Sequence, residues 1–372
     1  MKEKFSCQKK IKDLKDLLWD VAIIGAGPAG GSLAISLAGE NHRVLLIDKE
    51  TFPRDKICGD LIATYIFKRL KELGIYESIC QKGYELKKSD VYKKNYDIFS
   101  QDFYKPLLLK STETSDEIKG PIILKRSVLD AIIAEKSVKN GSVFLKGTVT
   151  QIDPQNSHVS LSLEGSDKTI KSKIAVIATG ADIKLLKSLD MIEEAKASAV
   201  ALQCYVNSDC HIEGTIFYYD FHENPAGYCW IFPMGNKIYN TGCITAIQNK
   251  NTNIKKVFND FLSTFPQAKE LLSNGEIISK ISGEKLRWGL TGTKMSGPGN
   301  VMAIGETIGS TRPDSGEGIG RAILSAKFAS HVINETLMSG DFSHMRKYPS
   351  LLEKSLFSVR KGDVEGIDYR DE

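Results

Sequence analysis

The chain of 372 residues is longer than one typical domain, and its 41% hydrophobic and 26% charged content is that of a soluble globular protein with a sizeable core. With 50 Lys and Arg against 46 Asp and Glu, the formal net charge is only +4 and no domain-wide basic excess is visible, which excludes nucleic acid as a general partner. The 7 cysteines are scattered and lack CxxC spacing, so they suggest neither a disulfide framework nor a zinc site and point to a reducing, cytoplasmic compartment; the 6 histidines show no ligand spacing, and no metal is expected.

In chain order, residues 1–19 form a charged extension in which Ile11, Leu14, Leu17 and Leu18 recur at helical spacing among lysines. That spacing predicts a surface helix, either packed on its own domain or making transient contact with a membrane surface, and no secretory signal is read in it. Residues 21–39 carry no charge and approach the length of a bilayer span, yet they hold Gly25, Gly27, Pro28, Gly30 and Gly31. A strand, a tight turn and a buried helix suit that composition better than a transmembrane segment. Strands at 20–24 and 43–48 around a helix at 29–38 make a βαβ unit.

From 85 to 119 the sequence is polar and aromatic without a period, as in part of a second, irregular layer. Residues 122–137 read as a strand running into a helix, followed by strands around 142–152, 158–163 and 174–178. The segments ALQCYV, GTIFYY, YCWIFP and KIYNTGCI, with a helix near 253–263, read as a substrate-binding sheet. A strand at 301–305 and a long apolar helix at 318–337 return to the first layer.

The first chemical motif is Gly25-Ala26-Gly27-Pro28-Ala29-Gly30, between a strand and a helix. Its glycines permit a tight turn (Gly25), close approach of backbone to a pyrophosphate (Gly27) and close helix–strand packing (Gly30), and the helix start offers unpaired N–H groups to phosphates. Asp48 ends the second strand, where a carboxylate can accept hydrogen bonds from both hydroxyls of an adenosine ribose; Lys49 follows it at the same strand end. A 2′-phosphate would be repelled there, so FAD or NAD is expected rather than NADP. The segment Gly305-Glu306-Thr307-Ile308-Gly309, with Gly316, Glu317, Gly318, Ile319 and Gly320 opening a helix, forms a second backbone-lined anion site. Such a site suits the ribityl chain and the N1–C2=O edge of a flavin, which favours FAD over NAD.

Four motifs together resemble the geranylgeranyl reductase family, a branch of the flavoproteins built like p-hydroxybenzoate hydroxylase: GAGPAG at 25–30, FPRDKICGD at 52–60, GYCWIFP at 227–233 and IGETIG…PDSGEGIG at 304–320. The resemblance runs over most of the chain. It implies an α/β fold in which a Rossmann-type FAD-binding domain (20–85, 120–185 and 286–337) is interleaved with a mixed-sheet substrate-binding domain (86–119 and 186–285), with an extension at 1–19 and a helical appendage at 338–372. It also implies that Ala29, Asp48, Cys58, Gly59, Leu61, Arg126, Val149, Glu306, Gly318 and Ile319 line FAD, and that Tyr228, Trp230, Phe232 and Pro233 form the substrate side.

The implied reaction is reduction of carbon–carbon double bonds in an isoprenoid or other apolar substrate, with NAD(P)H or a protein redox partner as electron donor. Two departures stand out: Glu306 replaces the usual Asp, and the usual Gly-x-Gly after Phe232-Pro233 is present only as Gly242-Cys243-Ile244. Hydroxylation on the same scaffold and flavin binding without turnover stay open as alternatives; halogenation lacks the first tryptophan of a Trp-x-Trp motif. Cys58 reads either as a flavin-adjacent thiol or as a small buried hydrophobe. Tyr228 is the one group of the aromatic set able to donate a proton, and Arg54 and Lys56 either are solvated or attract substrate phosphates.

Overall fold

The uncharged run at the first glycines is uncharged because the strand and helix it forms are buried almost throughout. In the computed structural model, which describes residues 7–14, 18–94, 96–102, 120–155, 157–193, 198–247, 252–290 and 292–362, Leu18–Ile24 is a strand and Pro28–Gly39 a helix. Val21, Ala22 and Ile23 have no exposed surface. They sit in the middle of a sheet whose strands run Gln8–Lys10, Val143–Lys146, Val44–Asp48, Leu18–Ile24, Thr169–Ile177, Val159–Leu163 and Val149–Pro154, with Val301–Ala303 paired to Thr169–Ile177. The pairings from Gln8–Lys10 through Thr169–Ile177, and on to Val301–Ala303, are parallel. Strands covered on both faces need apolar side chains on both, hence VAII, VLLI and IAVI without alternation.

The structure corrects the helical reading of the N-terminal extension. Gln8–Lys10 is an edge strand parallel to Val143–Lys146, and Ile11–Asp13 is a single tight turn. The Gln8 amide donates to the Glu50 carbonyl (2.7 Å) and accepts from Phe52 N (3.1 Å), which fixes the strand there. Leu14 is buried, Leu18 begins the next strand, and Leu17 lies outside the described residues. The lysines that suggested a solvated helix face flank an edge strand, where lysine discourages further pairing.

The second sheet places Ala199–Ser208 beside Ile238–Ala246, then Gly227–Pro233, Thr215–Tyr219, Lys88–Lys93 and Tyr96–Asp102; Gly275–Ile277 and Ser282–Leu286 pair with the free side of Ala199–Ser208. All its pairings are antiparallel except that between Lys88–Lys93 and Thr215–Tyr219. The aperiodic stretch after residue 85 thus supplies two strands, while 103–119 lie outside the described residues.

Alternation along these strands divides the sheet. Tyr218, Cys229, Ile231 and Cys243 pack under the helices Ile254–Thr264 and Pro266–Ser273, against Val257, Phe258 and Phe261. Trp230, Phe232, Ala201 and Ile244 pack on the other side, with Leu86 and Ile123. Ile123 belongs to a three-stranded sheet of Leu61–Ile62, Ile122–Ile123 and Tyr84–Glu85 that joins the two halves. Among the described residues no helix is long and apolar enough to cross a membrane.

Candidate active site

A single cavity of about 2580 Å³ runs from the ends of the parallel strands to the aromatic face of the second sheet. At one end the chain leaves Leu18–Ile24 through Gly25, whose φ of 107° belongs to glycine and whose added Cβ would stand 2.2 Å from the Ala178 carbonyl oxygen. A Cβ on Gly30 would stand 1.9 Å from the Gly25 carbonyl oxygen, so Gly30 does not line the cavity and instead lets helix and turn close up. Gly27 is the N-cap of Pro28–Gly39, and no side chain caps that helix, which leaves its first N–H groups facing the cavity.

Around that turn the side chains are tightly tied. Asp48 Oδ2 accepts from Ala26 N (2.8 Å) and Oδ1 from Glu50 N (2.9 Å), so the carboxylate that sequence reading reserved for a ribose also anchors the glycine turn. Each oxygen keeps a lone pair for a ligand hydroxyl. Burial raises the Asp48 carboxyl above its ordinary range, opposed by the Arg54 guanidinium. Arg126 makes a two-pronged contact with Asp130 (3.0 and 2.9 Å), and Arg54 adds a 3.0 Å contact to the same carboxylate. Two guanidinium groups on one carboxylate leave a net positive charge beside Gly27, whose Cβ position is 3.7 Å from Arg54 Nη2 and 3.9 Å from Arg126 Nη2.

This corrects the reading of Arg54, which lies against the glycine turn and not at the substrate end. Its Nη1 is buried without a hydrogen-bond partner. An orphaned cationic donor beside uncapped helix N–H groups fits the pyrophosphate of the expected dinucleotide. Lys56 ion-pairs with Glu284 (3.0 Å), tying its loop to the second sheet, and Lys49 reaches toward Asp182 (3.8 Å) at the surface.

The middle of the cavity is lined by Cys58, Gly59, Leu61, Ala29, Val149, Glu306, Gly316, Gly318 and Ile319, all anticipated from sequence. Gly305 is not a lining residue: its Cβ would stand 2.7 Å from Ala29 Cβ, so it permits packing beneath the site. The extra methylene of Glu306 is taken up by reach, since Oε1 accepts from Arg287 N at 3.3 Å and Oε2 faces Gly180. Burial pushes its carboxyl upward, with Lys56 and Arg126 opposing. Burial likewise pushes the Cys58 thiol upward against the pull of Arg126, so it is a protonated thiol at neutral pH and not a nucleophilic thiolate.

The far end is aromatic. Tyr228, Trp230 and Phe232 share one face of Gly227–Pro233, with Trp230 and Phe232 stacked at 5.9 Å between centroids and Phe217 packed on Phe232 at 5.2 Å. Pro233 ends the strand and is buried outside the cavity lining. A Cβ on Gly59 would stand 3.1 Å from Phe232 Cε2, so the Cys58–Gly59 backbone packs directly against the aromatic wall, and both line the cavity. Gly242 has no room for a side chain because Trp230 lies on it (2.3 Å to a Cβ), whereas Ile244, standing where the second glycine is usual, projects into the cavity beside Gly316. Tyr228 Oη donates to the Ser315 carbonyl (2.6 Å) and burial pushes the phenol upward, so the proton proposed for catalysis is committed to tying wall to loop.

Sequence reading missed Asp60, Tyr205, Asn240 and Gln203. Gln203 lines the cavity at 5% exposure with an unpartnered Nε2. None has a motif of its own; the signal was the Asp that closes FPRDKICGD and the two-residue spacing of Ala201, Gln203 and Tyr205 along one strand face. Among the described residues no group of three or more His, Cys, Asp and Glu could hold a metal ion.

Comparison with known proteins adds the following. The family model for pyridine nucleotide-disulphide oxidoreductases matches residues 19–212, and that for the geranylgeranyl reductase catalytic domain matches residues 197–284. The chain is 28% identical, over 95% of its length and 83% of the relative's, to a digeranylgeranylglycerophospholipid reductase of Methanosarcina acetivorans. It is 26% identical over 88% of its length to conditioned medium factor receptor 1 of Dictyostelium discoideum, of which it spans 65%. A crystal structure of a geranylgeranyl bacteriochlorophyll reductase-like protein from Thermoplasma acidophilum superposes with a TM-score of 0.74 at 23% identity, covering 91% of this chain and 84% of that one, and speaks for the fold alone.

Proposed function

The chain belongs to the pyridine nucleotide-disulphide oxidoreductase family through its first half and to the geranylgeranyl reductase family through the sheet that follows, and from that premise we propose that it is an FAD-dependent reductase of carbon–carbon double bonds in an isoprenoid chain. The observation that carries this reading is the cavity itself: a stacked wall of Trp230 and Phe232, packed on the Cys58–Gly59 backbone, lines one cavity with Gly25 and Gly27 of the glycine turn.

Gly25, Gly27, Asp48, Arg54 and Arg126 would hold the adenosine and pyrophosphate, and Cys58, Gly59 and Leu61 with Gly316, Gly318 and Ile319 the flavin. When bound and reduced, FAD supplies the hydride equivalent that one alkene carbon requires, and a proton that enters from solvent completes the other carbon. The chain's own part is binding and exclusion of water. Trp230, Phe232, Phe217 and Ile244 offer apolar surface at about 0.8 kcal/mol per buried methylene, which suits a prenyl chain and holds its double bond in one plane. The uncapped helix at Gly27 and the guanidinium pair neutralise the diphosphate. Electrons come from NAD(P)H or from a protein donor, and the amphiphilic substrate is drawn from a membrane surface.

The test is anaerobic. FAD-loaded protein is reduced chemically and mixed with a digeranylgeranyl lipid, and the products are weighed by mass spectrometry. Reoxidation of the flavin with a gain of two hydrogens per double bond is the expected result. Reoxidation only when oxygen is admitted, with an oxygen-bearing product, would replace the reading by hydroxylation; no response to either would leave a flavin-binding protein without turnover.

A further inference from the structure

Between the two ends of the cavity lies a buried carboxylate to which the proposed reaction gives no role. Asp60 has no exposed surface and a φ of 63°, in the left-handed region where aspartate and asparagine are the best tolerated residues after glycine. Its main-chain carbonyl accepts from Leu124 N (2.9 Å), which fixes this conformation against the small joining sheet.

The side chain collects donors from three directions. Oδ1 accepts from Arg126 N (3.1 Å), at the start of the helix Arg126–Lys139. Oδ2 accepts from Tyr205 Oη (2.7 Å) and from Asn240 Nδ2 (2.9 Å), on neighbouring strands of the second sheet. Asn240 then works both sides of this contact: Nδ2 also donates to the Cys58 carbonyl (2.7 Å), and Oδ1 accepts from Trp230 Nε1 (2.9 Å). One carboxylate therefore orients the amide that holds both the Cys58 backbone and the indole packed beside it.

Resting on the reading of this cavity as a flavin and apolar-substrate site, we propose that Asp60 is a positioning residue whose carboxylate locks Asn240, and through it Trp230 and the Cys58–Gly59 backbone, in the packing that shapes the substrate end of the cavity, and whose protonation loosens that lock. The chemistry of the bonds gives the reason. A carboxylate takes all three donors. Once protonated at Oδ2 it donates to the Tyr205 hydroxyl, which can reverse its direction, and leaves the Asn240 amide only a neutral hydroxyl oxygen as acceptor, a weaker hold on its orientation toward Trp230.

The charged groups around it leave Asp60 as the one that switches. Burial raises its carboxyl to about 6, against Tyr205, Asn240 and Arg126, all of which favour the charged form. Tyr205 and Cys58 are themselves pushed upward by burial and stay protonated at neutral pH, and Arg126 stays charged on Asp130. Farther out, Lys125 lies 4.3 Å over the Tyr205 ring and Asp55 acts on the same phenol. Because the folded-state carboxyl titrates above its unfolded value, ionising it lowers stability as pH rises from about 4 to about 6, and the loss is constant above that. A buried charge kept against that cost is consistent with geometry, not stability, being what it supplies.

Two measurements on the full chain test this. Tryptophan fluorescence is followed from about pH 5 to about pH 8 for wild type, D60N, Y205F and W230F, and KM and kcat for a digeranylgeranyl lipid are measured near both limits. The wild type should show a transition with a midpoint near 6, absent in D60N and in W230F and moved to higher pH in Y205F, where one donor to the carboxylate is gone. KM should rise about tenfold toward low pH, the worth of one or two hydrogen bonds, with kcat changed far less, and D60N should show the raised KM at both limits.

A transition that survives D60N, or keeps its amplitude in W230F, overturns the proposal, as does a wild-type KM in D60N. If D60N does not fold, the Y205F midpoint decides, and an unmoved midpoint sinks the idea. Absence of any lipid turnover would fail the substrate reading alone, since the fluorescence transition needs no turnover.

Discussion

The two ends of the cavity are built on opposite plans. At the glycine turn the walls are backbone: Gly25 and Gly30 sit within 2.2 and 1.9 Å of carbonyl oxygens at the positions their Cβ atoms would take, and an uncapped helix start points inward. At the aromatic end most of the wall is side chains on a sheet, where Gly59 makes room for Phe232 and Gly242 for Trp230 and the Leu202 carbonyl. A backbone wall tolerates no added atom, because the neighbouring carbonyl cannot rotate away. A side-chain wall yields by degrees, because rings and aliphatic groups repack.

The difference can be broken by substitution. Gly30→Ala should have the largest effect: the Gly25 carbonyl must move, costing about 3 kcal/mol or more, and purified protein should carry little flavin, as read by visible absorbance and thermal unfolding. Normal flavin content in that variant would show that the turn is softer than its distances imply. Trp230→Ala should cost about 3 kcal/mol in stability and raise KM for a prenyl lipid strongly, yet leave flavin content near wild type; parallel loss of flavin would mean the two ends are not separable.

Asp48→Ala removes the acceptor for Ala26 N and Glu50 N as well as that proposed for the ribose, and should weaken FAD retention by about 2 kcal/mol, roughly thirtyfold in Kd by titration. Unchanged retention would assign the carboxylate to the turn alone. Tyr228→Phe is the mildest. It loses one hydrogen bond to the Ser315 carbonyl, about 1 kcal/mol, and kcat should fall less than about tenfold; a hundredfold fall with KM unchanged would restore Tyr228 as the proton donor.

Much of the glycine end was legible in the sequence because its determinants are local. A strand, a GxGxxG turn and a helix lie within about twenty residues, and each glycine has a conformational reason to be there. Asp48 was found for the same reason, being the last residue of the next strand, although its bonds to Ala26 and Glu50 were not foreseen. Arg54 was read as solvated or as attracting substrate phosphates because nothing in FPRDKICGD says that its side chain turns back to Asp130, 76 positions away in sequence. The N-terminal segment misled for a related reason: Ile11, Leu14, Leu17 and Leu18 recur at helix-like intervals, and only the neighbour Val143–Lys146 makes Gln8–Lys10 a strand.

What the residues determined by themselves was the fold class and the chemistry of the cofactor end: uninterrupted apolar runs require a sheet buried on both faces, and glycine at constrained backbone positions leaves a phosphate-sized space. The face of the second sheet was half determined, since alternation at Tyr228, Trp230 and Phe232 shows that they share a side but not what they confront. Tertiary structure alone decided that they confront Cys58 and Gly59, that Ile244 fills space beside Gly316, and that Asp60, Tyr205, Asn240 and Trp230 join into one hydrogen-bonded chain. The reason is physical: periodicity reports burial, a one-body property of each position, whereas a packed contact or a shared carboxylate is a property of pairs whose partners come from different elements of the chain.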